Sequence, residues 1–135
     1  MLQWTEQFET GSYNLDFQHQ TLIDNLNDLE KLLAITSPTG EDCKFMLQAV
    51  DFLERYADMH FKCEEQCMEF FRCPTHAQNK QAHVDFMGFF QQLKQHEHGR
   101  GFPREIVVTL HETIHQWIMD HILHIDTQLR PFIKG

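Results

Sequence analysis

Three short breaker segments divide this chain into four long stretches, and that division constrains the fold more than any other feature. The breakers are Thr36-Ser37-Pro38-Thr39-Gly40, Arg72-Cys73-Pro74-Thr75 and Gly99-Arg100-Gly101-Phe102-Pro103. Proline removes a backbone donor and clashes with the preceding turn, so a helix stops at or before it. Between the breakers, apolar residues recur at three- and four-residue steps, which is the period of one helix face. Residues 17–35 carry His19, Leu22, Ile23, Leu26, Leu29, Leu32 and Leu33 on that stripe. Residues 41–71 carry Phe45, Met46, Ala49, Phe52, Leu53, Tyr56, Ala57, His60, Phe61, Glu64 and Met68. The third stretch, 76–98, has Ala82, His83, Phe86, Met87, Phe89, Phe90 and Leu93, and the fourth, 104–132, runs from Ile106 and Val107 through Trp117, Ile118 and His121 to Leu129. No strand pattern, internal repeat or low-complexity segment competes with this reading. Short connections between long helices favour antiparallel neighbours. The expectation is an all-α, up-down-up-down antiparallel four-helix bundle, one domain over 1–135, with an irregular N-terminal arm (1–16) and Asp16 as the cap of the first helix.

Composition narrows the function. A chain of 135 residues supports one core. Its formal net charge of −9 gives no basic surface to neutralise phosphates, so nucleic acid is not an expected partner. No apolar run approaches the ~18 residues that span a bilayer, so no membrane partner is expected either. The N-terminus, Met1-Leu2-Gln3-Trp4-Thr5-Glu6, has neither the basic nor the apolar region of an export signal. A cytoplasmic location with reduced thiols at Cys43, Cys63, Cys67 and Cys73 is therefore expected.

The chain holds 10 histidines, a rich supply of the commonest metal-ligating side chain. His60 and Glu64 are four residues apart and so stack on one helix face. An exposed pair at this spacing is commonplace and weak. This pair lies inside the apolar stripe, where a carboxylate is costly unless it is paired or bound to a metal. Each of the other three stretches also places a candidate ligand on its buried face: His19, His83, and His121 with Asp126. A single buried histidine is usually a hydrogen-bonded core residue, but inward-facing donors on all four helices are how bundles build metal sites. A carboxylate can bridge two cations, so the set points to a metal pair. Zinc alone is satisfied by three or four ligands, whereas iron with imidazole and carboxylate ligands suits non-haem oxygen chemistry.

The residues that carry this chemistry also resemble a known family. Asp16-Phe17-Gln18-His19, His60-Phe61-Lys62-Cys63-Glu64-Glu65-Gln66-Cys67-Met68, His83-Val84-Asp85-Phe86, and Trp117 with His121, Ile122 and Asp126 match the motifs of the bacterial hemerythrins along nearly the whole chain. The resemblance implies two iron ions with an oxo or hydroxo bridge. His19 and His60 would ligate one, His83 and His121 the other, and Glu64 and Asp126 would bridge them. It implies dioxygen, or another small exogenous ligand, as the partner, and a binding module rather than an enzyme. A di-iron enzyme reducing oxygen, peroxide or nitric oxide, or an iron or zinc storage bundle, are the rival readings. The family also occurs fused to signalling outputs such as diguanylate cyclases, so a covalently linked output domain is a further expectation.

One position departs from the family pattern. Four residues before His83, where the family has a further histidine, stands Asn79, a weak neutral ligand or a place for water. His76 lies seven residues from His83, ~10 Å along a helix, and is a poor substitute. Each metal would then have two imidazoles, and the site would be unusually open, which favours an oxygen or redox sensor over a carrier. Cys63 and Cys67, one turn apart, read as half-buried thiols. Glu65, off the stripe, reads as solvated, and Asp16 is a candidate partner for an imidazole by proximity alone. Trp117 is expected either to wall a ligand pocket or to anchor the core. His96, His98, His111, His115 and His124 are expected to face solvent or the surroundings of the site.

Overall fold

A computed structural model describes residues 2–95 and 104–134. Its long helices are α1 (Tyr13–Leu33), α2 (Gly40–Phe70), α3 (His76–Lys94) and α4 (Arg104–His124), followed by a 3-10 turn (Asp126–Leu129) and a short α5 (Arg130–Lys134). Among the described residues there is no strand. α1 packs on α2 and α4, and α3 closes the ring by packing on α2 and α4, giving the antiparallel four-helix bundle. His96 and His98 lie outside the described residues.

Local chemistry sets the ends of these helices. α1 begins at Tyr13, four residues before the expected start, because Ser12 rather than Asp16 is the cap: its side chain accepts from the Leu15 N–H at 3.3 Å. Asp16 falls inside the first turn, where its Oδ1 accepts from the backbone N–H and hydroxyl of Thr10 at 2.8 and 2.9 Å, tying the arm to the helix. α2 starts with a reciprocal capping box between Thr39 and Asp42. It ends at Phe70, and Arg72, two residues on, takes a left-handed φ of 53°. The Cys73 N–H reaches back to the Met68 carbonyl at 2.9 Å and the Arg72 N–H to Glu69 at 3.1 Å, a Schellman ending built without the usual glycine.

The fourth stretch is not one helix, as its periodicity predicts. α4 stops at His124, Ile125 adopts φ −115° and ψ −57°, and the chain tightens into the 3-10 turn. α2 buries most of the expected stripe, including Met46, Leu53, Ala57, Phe61 and Met68, but Phe45 and Phe52 at its edge remain 46% and 43% exposed, and Val50 is buried in addition. Periodicity gives the direction of a stripe but not its exact width.

A polar layer divides the interior. The large apolar cluster includes Leu22, Leu26, Leu53, Phe61, Phe86, Leu110 and Ile122, and a smaller one comprises Leu15, Met68, Cys73, Ile125 and Leu129. His19 on α1 lies between Leu15 of one cluster and Leu22 of the other, and Glu64 on α2 lies between Phe61 and Met68. The chain is tied around this layer by its ends. The Arg130 guanidinium donates to the Glu6 and Glu9 carbonyls of the arm at 3.1 and 2.6 Å.

Candidate metal centre

Six side chains from all four helices and the turn after α4 converge in the polar layer. His19, His60, Glu64, His83, His121 and Asp126 are each no more than 4% exposed. They form two groups. His19 and His60 gather with Glu64 and Asp126, and His83 and His121 gather with the same two carboxylates. The oxygens are divided between the groups. Glu64 Oε2 lies 2.9 Å from His19 Nε2 and 3.2 Å from His60 Nε2, while its Oε1 lies 3.1 Å from His83 Nε2 and 3.9 Å from His121 Nε2. Asp126 mirrors this, with Oδ2 3.2 Å from His19 Nε2 and Oδ1 3.1 Å from His121 Nε2.

The break after α4 makes this arrangement possible. At 3.6 residues per turn, a position five residues on is rotated by about 140°, so an unbroken helix would point His121 and Asp126 to different sides. The turn at Ile125 swings Asp126 back into the layer.

The donor set fits a pair of cations. Glu64 Oε1 and Asp126 Oδ1 are fully buried yet accept no hydrogen bond, although each has an imidazole nitrogen at 3.1 Å. Buried carboxylate oxygens without a donor are expensive unless positive charge sits among them. The imidazoles take up that role through protons. Burial alone would lower the pKa of His19, but the Asp126 and Glu64 carboxylates outweigh it and push the value up to about 10. Burial is likewise outweighed at His121, chiefly by Asp126, and its pKa rises to about 9. At His60 burial prevails, reinforced by the positive His19 beside it, and its pKa falls below the ordinary 6.5. Burial would raise Glu64, but the surrounding imidazoles hold its pKa well below the ordinary value.

Aromatic rings wall the layer. Phe61 stacks on His83 with centroids 3.8 Å apart, and Trp117 stacks on His121 at 4.1 Å, with Phe86 against both Phe61 and Trp117. Trp117 also lines a surface groove of about 320 Å³ with Gln78, Ala82, His121 and Ile125. That groove reaches the outer edge of the His121 ring, which is itself 4% exposed. Asn79, one turn before His83, is 0% exposed, and neither amide atom has a hydrogen-bond partner.

Two residues hold imidazoles from behind and were not read as such from the sequence. His60 Nδ1–H donates to Gln18 Oε1 at 2.7 Å, and His83 Nδ1–H donates to Glu65 Oε2 at 3.1 Å. Glu65 is 23% exposed rather than solvated. Its signal was its step of one residue from Glu64, about 100° round the helix, towards α3. Asp16 spends its carboxylate on Thr10. His124 is exposed, His111 and His115 are half-buried on α4, and Cys63 and Cys67 are half-buried.

An all-helical bundle in which an imidazole from every long helix and carboxylates from α2 and the turn after α4 converge on one buried layer defines a class: cation-binding four-helix proteins. The comparisons narrow it. The model of the hemerythrin HHE cation binding domain matches residues 10–133, and the chain belongs to the hemerythrin family. It is 28% identical over 136 residues to the bacteriohemerythrin of Methylococcus capsulatus, covering 100% of this chain and 98% of that one. A solved wild-type hemerythrin superposes with a TM-score of 0.81 at 25% identity, covering 100% of this chain and 99% of that one. A leucine-to-alanine hemerythrin mutant gives a TM-score of 0.82 at 25% identity, covering 100% and 98%. The hemerythrins are oxygen-binding proteins. No helix among the described residues is long and apolar enough to cross a membrane.

Proposed function

We propose that this chain is a non-haem di-iron dioxygen-binding module that serves as an oxygen or redox sensor. His19 and His60 would hold one iron, His83 and His121 the other, and Glu64 and Asp126 would bridge them. The observation that carries this reading is the division of the carboxylates, each of which turns one oxygen to each histidine pair. Such a pair of irons, when bound, supplies redox chemistry with dioxygen at positions the protein leaves open. The chain's own residues orient the imidazoles, through Gln18 and Glu65, and wall the layer with the rings of Phe61, Phe86 and Trp117.

Asn79 favours sensing over carriage. An amide in place of an imidazole leaves each iron with two histidines, and the groove at His121 supports solvent access on the same side. An accessible site exchanges ligands quickly and autoxidises quickly, properties suited to reporting a condition. The proposed setting is the cytoplasm, with Cys43, Cys63, Cys67 and Cys73 as reduced thiols, and a linked signalling domain would be the recipient of the signal.

The test is reconstitution with ferrous iron under anaerobic conditions, followed by metal analysis and admission of oxygen. The expected result is about two irons per chain, as in other bundles with carboxylate-bridged metals, with near-ultraviolet oxo-to-iron bands. One iron or none overturns the assignment.

A further inference from the structure

The two histidine pairs are alike in what they turn inward and unlike in what holds them from behind. His60 leans on a neutral amide, Gln18 Oε1, at 2.7 Å, whereas His83 leans on a carboxylate, Glu65 Oε2, at 3.1 Å. A carboxylate only accepts hydrogen bonds. Its presence at Nδ1 therefore places the proton there and leaves the His83 Nε2 lone pair facing Glu64 Oε1 at 3.1 Å and His121 Nε2 at 3.2 Å. Glu65 is 23% exposed, but the His83 ring it touches is 3% exposed and stacked on Phe61, so the inner side of this hydrogen bond is shielded from water. The outer side of Glu65 forms the wall of a surface pocket of about 300 Å³ with Lys62, Gln66, Glu69, His76 and Lys80.

We propose that Glu65 is a positioning residue that makes the two metal positions electronically unequal. It fixes the tautomer of His83, and its charge makes that imidazole a stronger donor than His60. A carboxylate behind a ligating imidazole raises its basicity, and a more basic ligand favours the higher oxidation state of the metal it holds. A metal held on the His83–His121 side would thereby favour its higher oxidation state more than one held by His19 and His60. This rests on the reading of the cluster as a di-iron centre.

Two substitutions in the full chain separate charge from geometry. Glu65→Gln keeps an oxygen for the His83 N–H and removes the charge. Glu65→Ala removes both. Glu65→Gln is expected to retain zinc affinity, measured by competition with a chromophoric chelator, while moving the ferric–ferrous equilibrium about tenfold towards the reduced form, ~59 mV for one electron. Glu65→Ala is expected to lower zinc affinity about 10–100-fold. Glu69→Gln, which removes an exposed charge from the same pocket, is expected to leave the potential at its wild-type value. An unchanged potential in Glu65→Gln overturns the proposal, as does wild-type zinc affinity in Glu65→Ala or an equal shift in Glu69→Gln. If the wild-type chain takes up no iron pair, the di-iron reading falls first and this inference falls with it; if it does and the variants match it, only this inference falls.

Discussion

Glu64 and Asp126 are 0% and 1% exposed, and two buried carboxylates this close require positive charge between them. Without metal, that charge comes from the imidazolium forms of His19 and His121. The pKa of His121 is raised to about 9, and that of His19 from 6.5 to about 10, because the Asp126 and Glu64 carboxylates outweigh burial, which acts to lower both. A raised pKa stabilises the fold fully below the unfolded value, and the contribution is lost as pH rises through the folded value. The metal-free protein is therefore expected to lose stability between pH 6.5 and about 10, seen as a falling urea midpoint across that window. A midpoint that rises there would overturn this account. Glu64→Ala removes one donor from each metal position, so uptake should fall from about two irons to below one per chain, read by metal analysis. At Asn79, the buried amide with both polar atoms unpartnered occupies the place one turn before His83. Asn79→His supplies a third imidazole to that side and is expected to slow autoxidation, followed by the decay of the oxygenated spectrum. An unchanged rate would sink the open-site reading.

The helix ends show what the sequence carries and what it withholds. The i,i+4 spacing of His60 and Glu64, and the apolar stripe around them, reveal the heart of the cluster because a helix turns residue spacing directly into shared direction. The turn that delivers Asp126 has no such mark: Leu123-His124-Ile125-Asp126-Thr127 contains neither Gly nor Pro, and what the bend achieves shows only in the fold, where the Asp126 carboxylate meets His19 of α1 and His121 of α4. Glu65 and Gln18 were equally hidden, since partners behind an imidazole depend on how neighbouring helices face each other. The end of α2, by contrast, was legible from Pro74 but not in its cost. Arg72 sits at φ 53°, a conformation that disfavours a side chain by roughly 1–2 kcal/mol relative to glycine. Arg72→Gly should raise the unfolding free energy by about 0.5–1 kcal/mol, once the extra freedom glycine gives the unfolded chain is deducted. Denaturant unfolding with an unchanged m-value would measure it, and a loss of stability would show that the Arg72 side chain contributes more than its backbone costs.

At the scale of the whole molecule, the polar layer separates two apolar clusters and draws on every long helix, so whatever binds there couples the bundle together. A metal that binds the folded chain and not the unfolded one adds about 2.7 kcal/mol at a free concentration a hundred times its dissociation constant. For a chain of 135 residues that corresponds to roughly 10 °C in the unfolding midpoint. Stripping the metal with a chelator should lower the thermal midpoint by about that amount, and adding ferrous iron back should restore it. The Glu64→Ala chain should be insensitive to both treatments, because it lacks the carboxylate shared by the two groups. Equal sensitivity in that variant would place the stabilising metal elsewhere. The hydrophobic clusters on either side do not depend on the ion, so the metal-free bundle should keep its helical circular dichroism below the lowered midpoint. A metal-free chain without helical signal would show instead that the ion is required for folding itself, as in small domains whose structure forms only around their metal.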